Sequence, residues 1–209
     1  ATYASHVLEE MSYDNAVDIL NELSKPKVAS LLTLMNKDKA NEIKALLHYE
    51  EDTAGGIMTT EFISLKSTTP VKEALIHVKE QAPDAETIYV IFVVNEDEQL
   101  VGVLSLRDLI VAENDAYIED VMSERVISAN VGDDQEDIAQ LMRDYDFIAV
   151  PVVDYQNHLL GIITIDDILD VMDEEASEDY SRLAGVSDID STSDSVFKTA
   201  SKRLPWLIV

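Results

Sequence analysis

The chain of 209 residues contains no cysteine and only four histidines. The absence of cysteine excludes a disulfide framework, a thiolate metal site and a thiol nucleophile. The histidines, which lie far apart and form no pair with metal-ligand spacing, are His6, His48, His77 and His158. A zinc site therefore has no support in the sequence. Carboxylates are the abundant metal ligands, so any bound metal is expected to be a hard cation.

Basic residues are scarce as well. Lys and Arg number 15 against 42 Asp and Glu, which gives a formal net charge of −27 at pH 7. Because so acidic a surface repels a phosphate backbone, nucleic acid is excluded as a partner. Hydrophobic residues make up 46% of the chain, enough for one large domain or several small ones. No nucleophile and base form a recognisable pair, and we expect the protein not to be an enzyme.

Long hydrophobic runs are also lacking, because no apolar stretch reaches the ~18 residues that a bilayer span requires. Near the C-terminal end, Lys198, Lys202 and Arg203 follow an acidic stretch, and residues 204–209 read Leu-Pro-Trp-Leu-Ile-Val. Bases followed by tryptophan and aliphatic residues are typical of the cytoplasmic edge of a membrane helix. A short tail that packs on the protein's own core fits the same residues. The sequence leaves both interpretations open.

Residues 1–52 repeat with a period of 12. The residues at one position of the repeat are Met11, Leu23, Met35 and Leu47. Ser12, Ser24 and Asn36 each precede a unit and are of the types that cap helix N-termini. Pro26 follows Ser24 where a first helical turn tolerates proline. The pattern predicts a stack of short helices, which we expect to be truncated at its N-terminal end, rather than one long helix.

From residue 53 onward one pattern occurs twice, and each copy predicts a β-α-β-β-α unit. The pairs separated by 59 residues are Val94 and Val153, Gly102 and Gly161, Ser105 and Thr164, and Asp108 and Asp167. Met58 and Met122 are 64 apart, so the first copy contains a five-residue insertion, assigned to residues 81–87 around Pro83. The predicted modules are residues 53–116 and 117–180.

These residues resemble a known family. The signatures Gly-Val-Leu-Ser-Leu-Arg-Asp at 102–108 and Gly-Ile-Ile-Thr-Ile-Asp-Asp at 161–167 resemble those of CBS modules. The junction Tyr-Glu-Glu-Asp-Thr-Ala-Gly-Gly-Ile-Met-Thr at 49–59 is similar to that of the MgtE magnesium transporters and channels. Further stretches similar to that family are residues 83–89, 102–112, 144–147 and 166–179. The chain as a whole resembles the cytosolic region of this family.

The resemblance implies an α+β fold, in which an all-helical superhelical domain over 1–52 precedes the tandem CBS pair. It implies a connecting or plug helix over 181–209 that leads into the first membrane helix. It also implies a homodimer formed through the CBS domains, at the cytoplasmic face of the membrane, with the transmembrane pore absent from this chain. CBS pairs commonly bind adenosine nucleotides such as ATP, and the resemblance assigns phosphate, ribose and adenine to Arg107, Asp108 and Phe147.

The distribution of acids supports a cation sensor independently of the resemblance. Between Asp108 and Ser195 there are 24 acids and three bases. Like charges three or four residues apart on a helix repel, so a stretch this acidic that stays helical needs a counter-charge. The candidate metal ligands are Asp167, Asp170, Asp173, Glu175, Glu178 and Asp179 on one helix, Asp134, Glu136 and Asp146 on the preceding helix and loop, and Asp14 and Asp18 in the helical domain.

Carboxylates without imidazole or thiolate suit Mg²⁺, Ca²⁺ or Mn²⁺, and no EF-hand loop is present. We expect several regulatory Mg²⁺ ions to bridge acidic faces and to hold a compact, closed state. A different class of function stays open: an adenylate-sensing CBS module of an enzyme or another transporter, in which the acids only keep the protein soluble. Any nucleotide would be sensed rather than hydrolysed, because the sequence contains no P-loop.

Overall fold

A computed structural model of the chain describes residues 2–183, apart from the side chains of Thr2, Glu174 and residues 177–183. The predicted connecting helix over 181–209 lies outside the described residues except for its first three positions. The α+β fold predicted from the sequence is confirmed. Among residues 2–183, no helix combines the length and the hydrophobicity needed to cross a bilayer.

The first domain is a stack of four short helices, as the 12-residue period predicts. The helices are α1 (Thr2–Glu10), α2 (Tyr13–Asn21), α3 (Lys25–Leu34) and α4 (Lys37–Leu46). Ser12, Ser24 and Asn36 are the N-cap residues of α2, α3 and α4. The side chain of Asn36 accepts a hydrogen bond from the amide of Asp38 at 2.8 Å. The Ser12 hydroxyl instead accepts one from the side-chain amide of Asn15, at 2.7 Å.

Two β-α-β-β-α units follow the short helix α5 (Ala54–Ile57). The first consists of β1 (Ser64–Lys66), α6 (Val71–Gln81), β2 (Val90–Val94), β3 (Leu100–Ser105) and α7 (Leu106–Val111). After α8 (Ile118–Val121), the second consists of β4 (Ala129–Asn130), α9 (Gln135–Tyr145), β5 (Ala149–Val153), β6 (Leu159–Thr164) and α10 (Ile165–Leu183). In each sheet the first two strands pair in parallel and the last two antiparallel.

The insertion predicted in the first copy is present. Eight residues (82–89), including a 3₁₀ turn at Ala82–Asp84, join α6 to β2, whereas three (146–148) join α9 to β5. The difference of five residues accounts for the two offsets found in the sequence. The inserted loop reaches the helical domain, where Glu86 forms a hydrogen bond with the side chain of Ser12.

The segments that lead into the two modules cross over. Thr59, which precedes β1 of the first module, exchanges backbone hydrogen bonds of 2.8 and 2.9 Å with Ile162 of β6 in the second. Ser123, which precedes β4 of the second module, pairs with Val103 of β3 in the first at 2.8 and 3.0 Å. The repeated glycines permit this approach: a Cβ on Gly161 would lie 2.7 Å from the Thr59 carbonyl oxygen.

The hydrophobic core follows the crossover rather than the order of the chain. One continuous cluster joins the helical domain to the second module through Ala54 and Met58. The first module has a separate cluster around Ile91 and Leu109. A third, small cluster around Phe92 and Ile162 lies between the two sheets. The helical domain and the second module therefore share one hydrophobic core.

This packing predicts unequal effects of two adjacent substitutions in α2. Leu20 is fully buried, whereas Ile19 is 44% exposed. Leu20→Ala is expected to lower the free energy of unfolding by about 2–5 kcal/mol because it leaves a cavity. Ile19→Ala should cost less than about 1 kcal/mol. Urea denaturation followed by circular dichroism measures both values, and equal losses would contradict the burial of one face of α2.

Candidate functional site

An acidic cleft lies where the helical domain faces the second module. Its volume is about 400 Å³. The carboxylates that line it, which we call the acidic cleft residues, are Asp14, Asp18 and Glu22 from the helical domain, Glu51 and Asp52 from the linker, and Asp167 and Asp170 from α10. No lysine or arginine is among the described residues that line it. The amide side chains of Asn15, Asn21 and Gln135 complete the polar lining.

Two helix N-termini bring the most enclosed carboxylates to this cleft. Asp14 lies in the first turn of α2 and Asp167 in the first turn of α10, where the helix dipole favours an anion. Asp14 is only 6% exposed, and its Oδ1 accepts the backbone N–H of Asn15 at 2.7 Å. Asp167 accepts the hydroxyl of Thr164 at 2.5 Å and the backbone N–H of Thr164 at 3.2 Å. Local bonds thus hold both carboxylates in place.

The charge in the cleft is not compensated by these bonds. Burial, followed by the negative charge of Asp14, raises the pKa of Asp167 to about 6, although the hydrogen bonds from Thr164 act in the opposite direction. Outside this cleft, partial burial also raises the pKa of Glu61 and of Glu86, which line another cavity together with Lys39. A cation entering the acidic cleft would relieve the repulsion between Asp14 and Asp167.

A cation in the acidic cleft would have to keep part of its hydration shell. Within the described part of the chain, no group of three or more Asp, Glu or His side chains is close enough to hold a metal ion directly. Mg²⁺ usually keeps several of its waters and binds one or two carboxylates. Carboxylate and amide oxygens spaced around a cleft of this size suit an ion that contacts some of them through water.

The predicted metal ligands do not all meet in this cleft. Asp14, Asp18, Asp167 and Asp170 line it. Glu136 and Glu175 line a smaller cavity of about 230 Å³ between α9 and α10, and Glu175 accepts the side-chain amide of Gln135 at 3.1 Å. Asp173 is exposed on α10.

The remaining predicted ligands have other positions. Asp134 is the N-cap of α9 and accepts the backbone N–H of Glu136 at 2.9 Å. Asp146 ends α9 in the left-handed conformation, with φ 55°, and lines the cleft between the modules. Glu178 and Asp179 belong to α10, but their side chains lie outside the described residues.

Sequence reasoning missed three carboxylates of the acidic cleft. Glu22 follows α2, and Glu51 and Asp52 lie in the linker. The last two belong to the 49–59 stretch, which served only to indicate the family. Their position immediately before the capping residue Thr53 was the only local signal, and it places them before a helix without indicating that the acids of α2 lie opposite.

A second cleft of about 330 Å³ lies between the two modules. Phe92, Val103, Phe147 and Pro151 give it an apolar lining, and its polar groups include Asp108 and Arg125. Asp108 accepts the Ser105 hydroxyl at 2.7 Å. Phe147 stacks on Tyr145 with ring centroids 5.4 Å apart. An apolar cleft with a few converging polar groups is typical of a small-molecule site.

Two of the three residues that the resemblance assigned to a nucleotide line this second cleft. They are Asp108 and Phe147. Arg107 is exposed on α7 and is not among the residues lining the cleft, whereas Arg125 is. The structure therefore offers Arg125 as the cation closest to the cleft, a residue that sequence reasoning did not select.

The chain resembles known families along most of its length. Residues 1–52 match the family described as the MgtE intracellular N domain, and residues 54–115 and 118–174 each match the CBS domain. The magnesium transporter MgtE of Enterococcus faecalis is 60% identical over 171 residues, which are 82% of this chain and 38% of that protein. MgtE of Thermus thermophilus is 43% identical over 94% of this chain and 43% of that protein. The chain thus spans less than half the length of these relatives.

Solved structures of magnesium transporters also resemble this chain. The soluble part of a magnesium transporter, 58% identical, superimposes with a TM-score of 0.80 over 84% of this chain and 68% of that one. The cytosolic domain of the Mg²⁺ channel MgtE in complex with ATP, 44% identical, gives a TM-score of 0.77 over 80% of this chain and 68% of that one.

The raised pKa of Asp167 predicts how stability depends on pH without divalent cations. Its ordinary value is 3.8, so the folded state holds this proton more tightly than the unfolded state, and stability falls as pH rises from about 4 to 6. The loss is about 1–2 kcal/mol after allowance for solvent screening.

Asp167→Asn should remove this part of the pH dependence in EDTA, as measured by urea unfolding between pH 4 and 7. Asp108→Asn, at the equivalent position of the first module, should keep the parent's profile because Asp108 is exposed and lies outside the acidic cleft. If both variants show the same profile, Asp167 does not carry the effect.

Proposed function

The chain belongs to the MgtE family, as its N domain followed by a pair of CBS domains, and from this we propose that it is the Mg²⁺-sensing regulatory region of a magnesium transporter. The observation that carries the proposal is the acidic cleft, which seven carboxylates from the helical domain, the linker and α10 line without a lysine or arginine in the described lining. A hard divalent cation is the ligand that best relieves this arrangement.

The sensing mechanism depends on differential affinity. When Mg²⁺ is abundant, ions occupy the acidic cleft and reduce the repulsion between α2 and α10, so the compact arrangement is favoured. When Mg²⁺ falls, repulsion opens the cleft. Because the ion binds the compact state better, its concentration sets the population of the two states without any chemical step. Coupled to a pore, this is negative feedback on magnesium uptake.

The regulatory region would act as a homodimer at the cytoplasmic face of the membrane, joined to its own pore domain. Ile110 on α7 and Leu169 on α10 are at equivalent positions of the two modules and are 61% and 55% exposed. Apolar side chains exposed at matched positions of both modules support dimerisation through the CBS pair, because a two-fold interface uses the same surface of both subunits.

Magnesium should stabilise the 209-residue chain through the acidic cleft. A ligand that binds only the folded state at 100 times its Kd adds about 2.7 kcal/mol, so a clear rise in melting temperature is expected in millimolar MgCl₂. The triple variant Asp14→Asn, Asp167→Asn, Asp170→Asn should lose most of this rise. Without magnesium it should be at least as stable as the parent, because repelling charges have been removed.

The matched control has three exposed aspartates away from the cleft replaced: Asp97→Asn, Asp115→Asn, Asp144→Asn. This control removes as many negative charges as the triple variant and should keep the parent's response to MgCl₂. Differential scanning calorimetry with and without MgCl₂, at constant ionic strength, separates the two. A parent without any magnesium effect, or equal losses in both variants, would refute the sensor.

The cleft between the modules supports a second ligand, an adenosine nucleotide that modulates the sensor. Its apolar walls suit an adenine ring, Asp108 suits ribose hydroxyls, and Arg125 suits a phosphate. A structure 44% identical to this chain is a complex with ATP. If nucleotide alone stabilises the chain and magnesium does not, the adenylate-sensing module considered above becomes the better function.

The two arginines provide a direct test of this second site. Arg125→Ala should weaken ATP binding about tenfold or more, since a charge-assisted hydrogen bond contributes about 1.5–3 kcal/mol. Arg107→Ala should change the Kd by less than a factor of about three, because Arg107 does not line the cleft. Isothermal titration calorimetry with ATP measures both. The opposite ranking would restore the assignment made from the resemblance.

A further inference from the structure

Residues 52–59 lie between α4 and β1 in the sequence, but their backbone is bonded to the second module rather than to the first. The amides of Ala54 and Gly55 donate to the carbonyls of Asp133 at 2.8 Å and Val131 at 2.9 Å. The amide of Gln135 donates to the Asp52 carbonyl at 3.1 Å. Together with the two bonds between Thr59 and Ile162, this segment makes five backbone hydrogen bonds to the second module. We call residues 52–59 the anchor.

Side-chain packing fixes the anchor from both sides. Ala54 and Met58 are 0% and 2% exposed and belong to the core shared by the helical domain and the second module. A Cβ on Gly55 would lie 2.7 Å from the ring of Tyr49 and 2.8 Å from the side chain of Val131. The backbone at Gly55 is therefore held between the end of the helical domain and the second module.

The anchor also ends close to the acidic cleft. Thr59 pairs with Ile162, three residues before Ile165, where α10 begins, and α10 carries Asp167 and Asp170. At its other end the anchor begins at Asp52, which lines the same cleft. The helical domain also contacts residues 61–86 of the first module, but through side chains: the Tyr13 amide donates a hydrogen bond to the Glu61 carboxylate at 3.0 Å.

We propose that the anchor ties the helical domain to the second module rather than to the first, and that it transmits the position of α1–α4 to β6 and the start of α10 through Met58, Thr59 and Gly161. In this proposal the first module does not lie on the path from the helical domain to α10. This inference rests on the proposed Mg²⁺-dependent closure only for its regulatory meaning. Thr59 is a positioning residue, since it acts on the cleft through β6.

The pseudo-symmetry of the chain provides a matched pair of variants. Thr59→Pro removes the amide that donates to the Ile162 carbonyl, and Ser123→Pro removes the amide that donates to the Val103 carbonyl, both at 2.8 Å. The residues before them, Met58 and Met122, have ψ angles of 150° and 159°, which a following proline tolerates. The two variants therefore disturb equivalent bonds on opposite modules.

Hydrogen exchange measured by mass spectrometry on the 209-residue chain tests the proposal, first in EDTA. Thr59→Pro should speed exchange in α1–α4 and β6 and leave β3 as in the parent. Ser123→Pro should speed exchange in β3 and leave α1–α4 unchanged. If the two variants affect the same segments, the anchor is refuted, whether or not magnesium is sensed.

The same measurement over a MgCl₂ titration tests the regulatory part. The MgCl₂ concentration that gives half of the maximal protection of residues 165–172 from exchange should rise on the order of tenfold in Thr59→Pro. In Ser123→Pro it should stay within a factor of about two of the parent's value. Equal midpoints in the two variants would overturn the transmission. A parent without magnesium-dependent protection would refute the proposed function, and the EDTA experiment would still decide the anchor. If either proline variant fails to fold, Met58→Ala and Met122→Ala replace the pair.

Discussion

The rest of this molecule depends on one feature, the acidic cleft. Its carboxylates face one another, and its described lining contains no lysine or arginine. Hydrophobic packing places the helical domain against the second module, and it thereby brings Asp14 and Asp167 together in a partly buried cleft. Burial disfavours their ionised forms, as the raised pKa of Asp167 shows. Apolar contacts thus stabilise the packing at the cleft and charge repulsion opposes it, and the proposed sensing of Mg²⁺ depends on this balance.

The two modules show how one fold can present two kinds of cleft. Asp108 and Asp167 occupy equivalent positions 59 residues apart, each bonded to a hydroxyl three residues earlier. Asp108 is exposed and faces the apolar cleft between the modules, whereas Asp167 is half-buried and faces the acidic cleft. The difference comes from what packs on each module, because the helical domain and the anchor cover the second module at this point. Site chemistry here is decided by neighbours rather than by the repeated motif.

The sequence predicted the architecture well because the signals were local or repeated. The 12-residue period and the caps at Ser12, Ser24 and Asn36 placed the helices of the first domain, and the offsets of 59 and 64 residues placed the inserted loop. The candidate site was predicted less completely. Helical spacing selected Asp167 and Asp170, but it also selected Asp173, which is exposed, since periodicity places acids on a face without showing what lies opposite.

The cleft between the modules was also predicted only in part from the sequence. A motif can place Asp108 at the start of a helix, but whether Arg107 or Arg125 reaches the cleft depends on how two sheets meet, and the structure selects Arg125. The sequence alone determined the helical stack, the two repeated units and the excess of carboxylates, because each follows from residue type and short-range spacing. Only the tertiary structure decided which module the linker joins and which acids share a cleft, because both depend on contacts between residues that are distant in the chain.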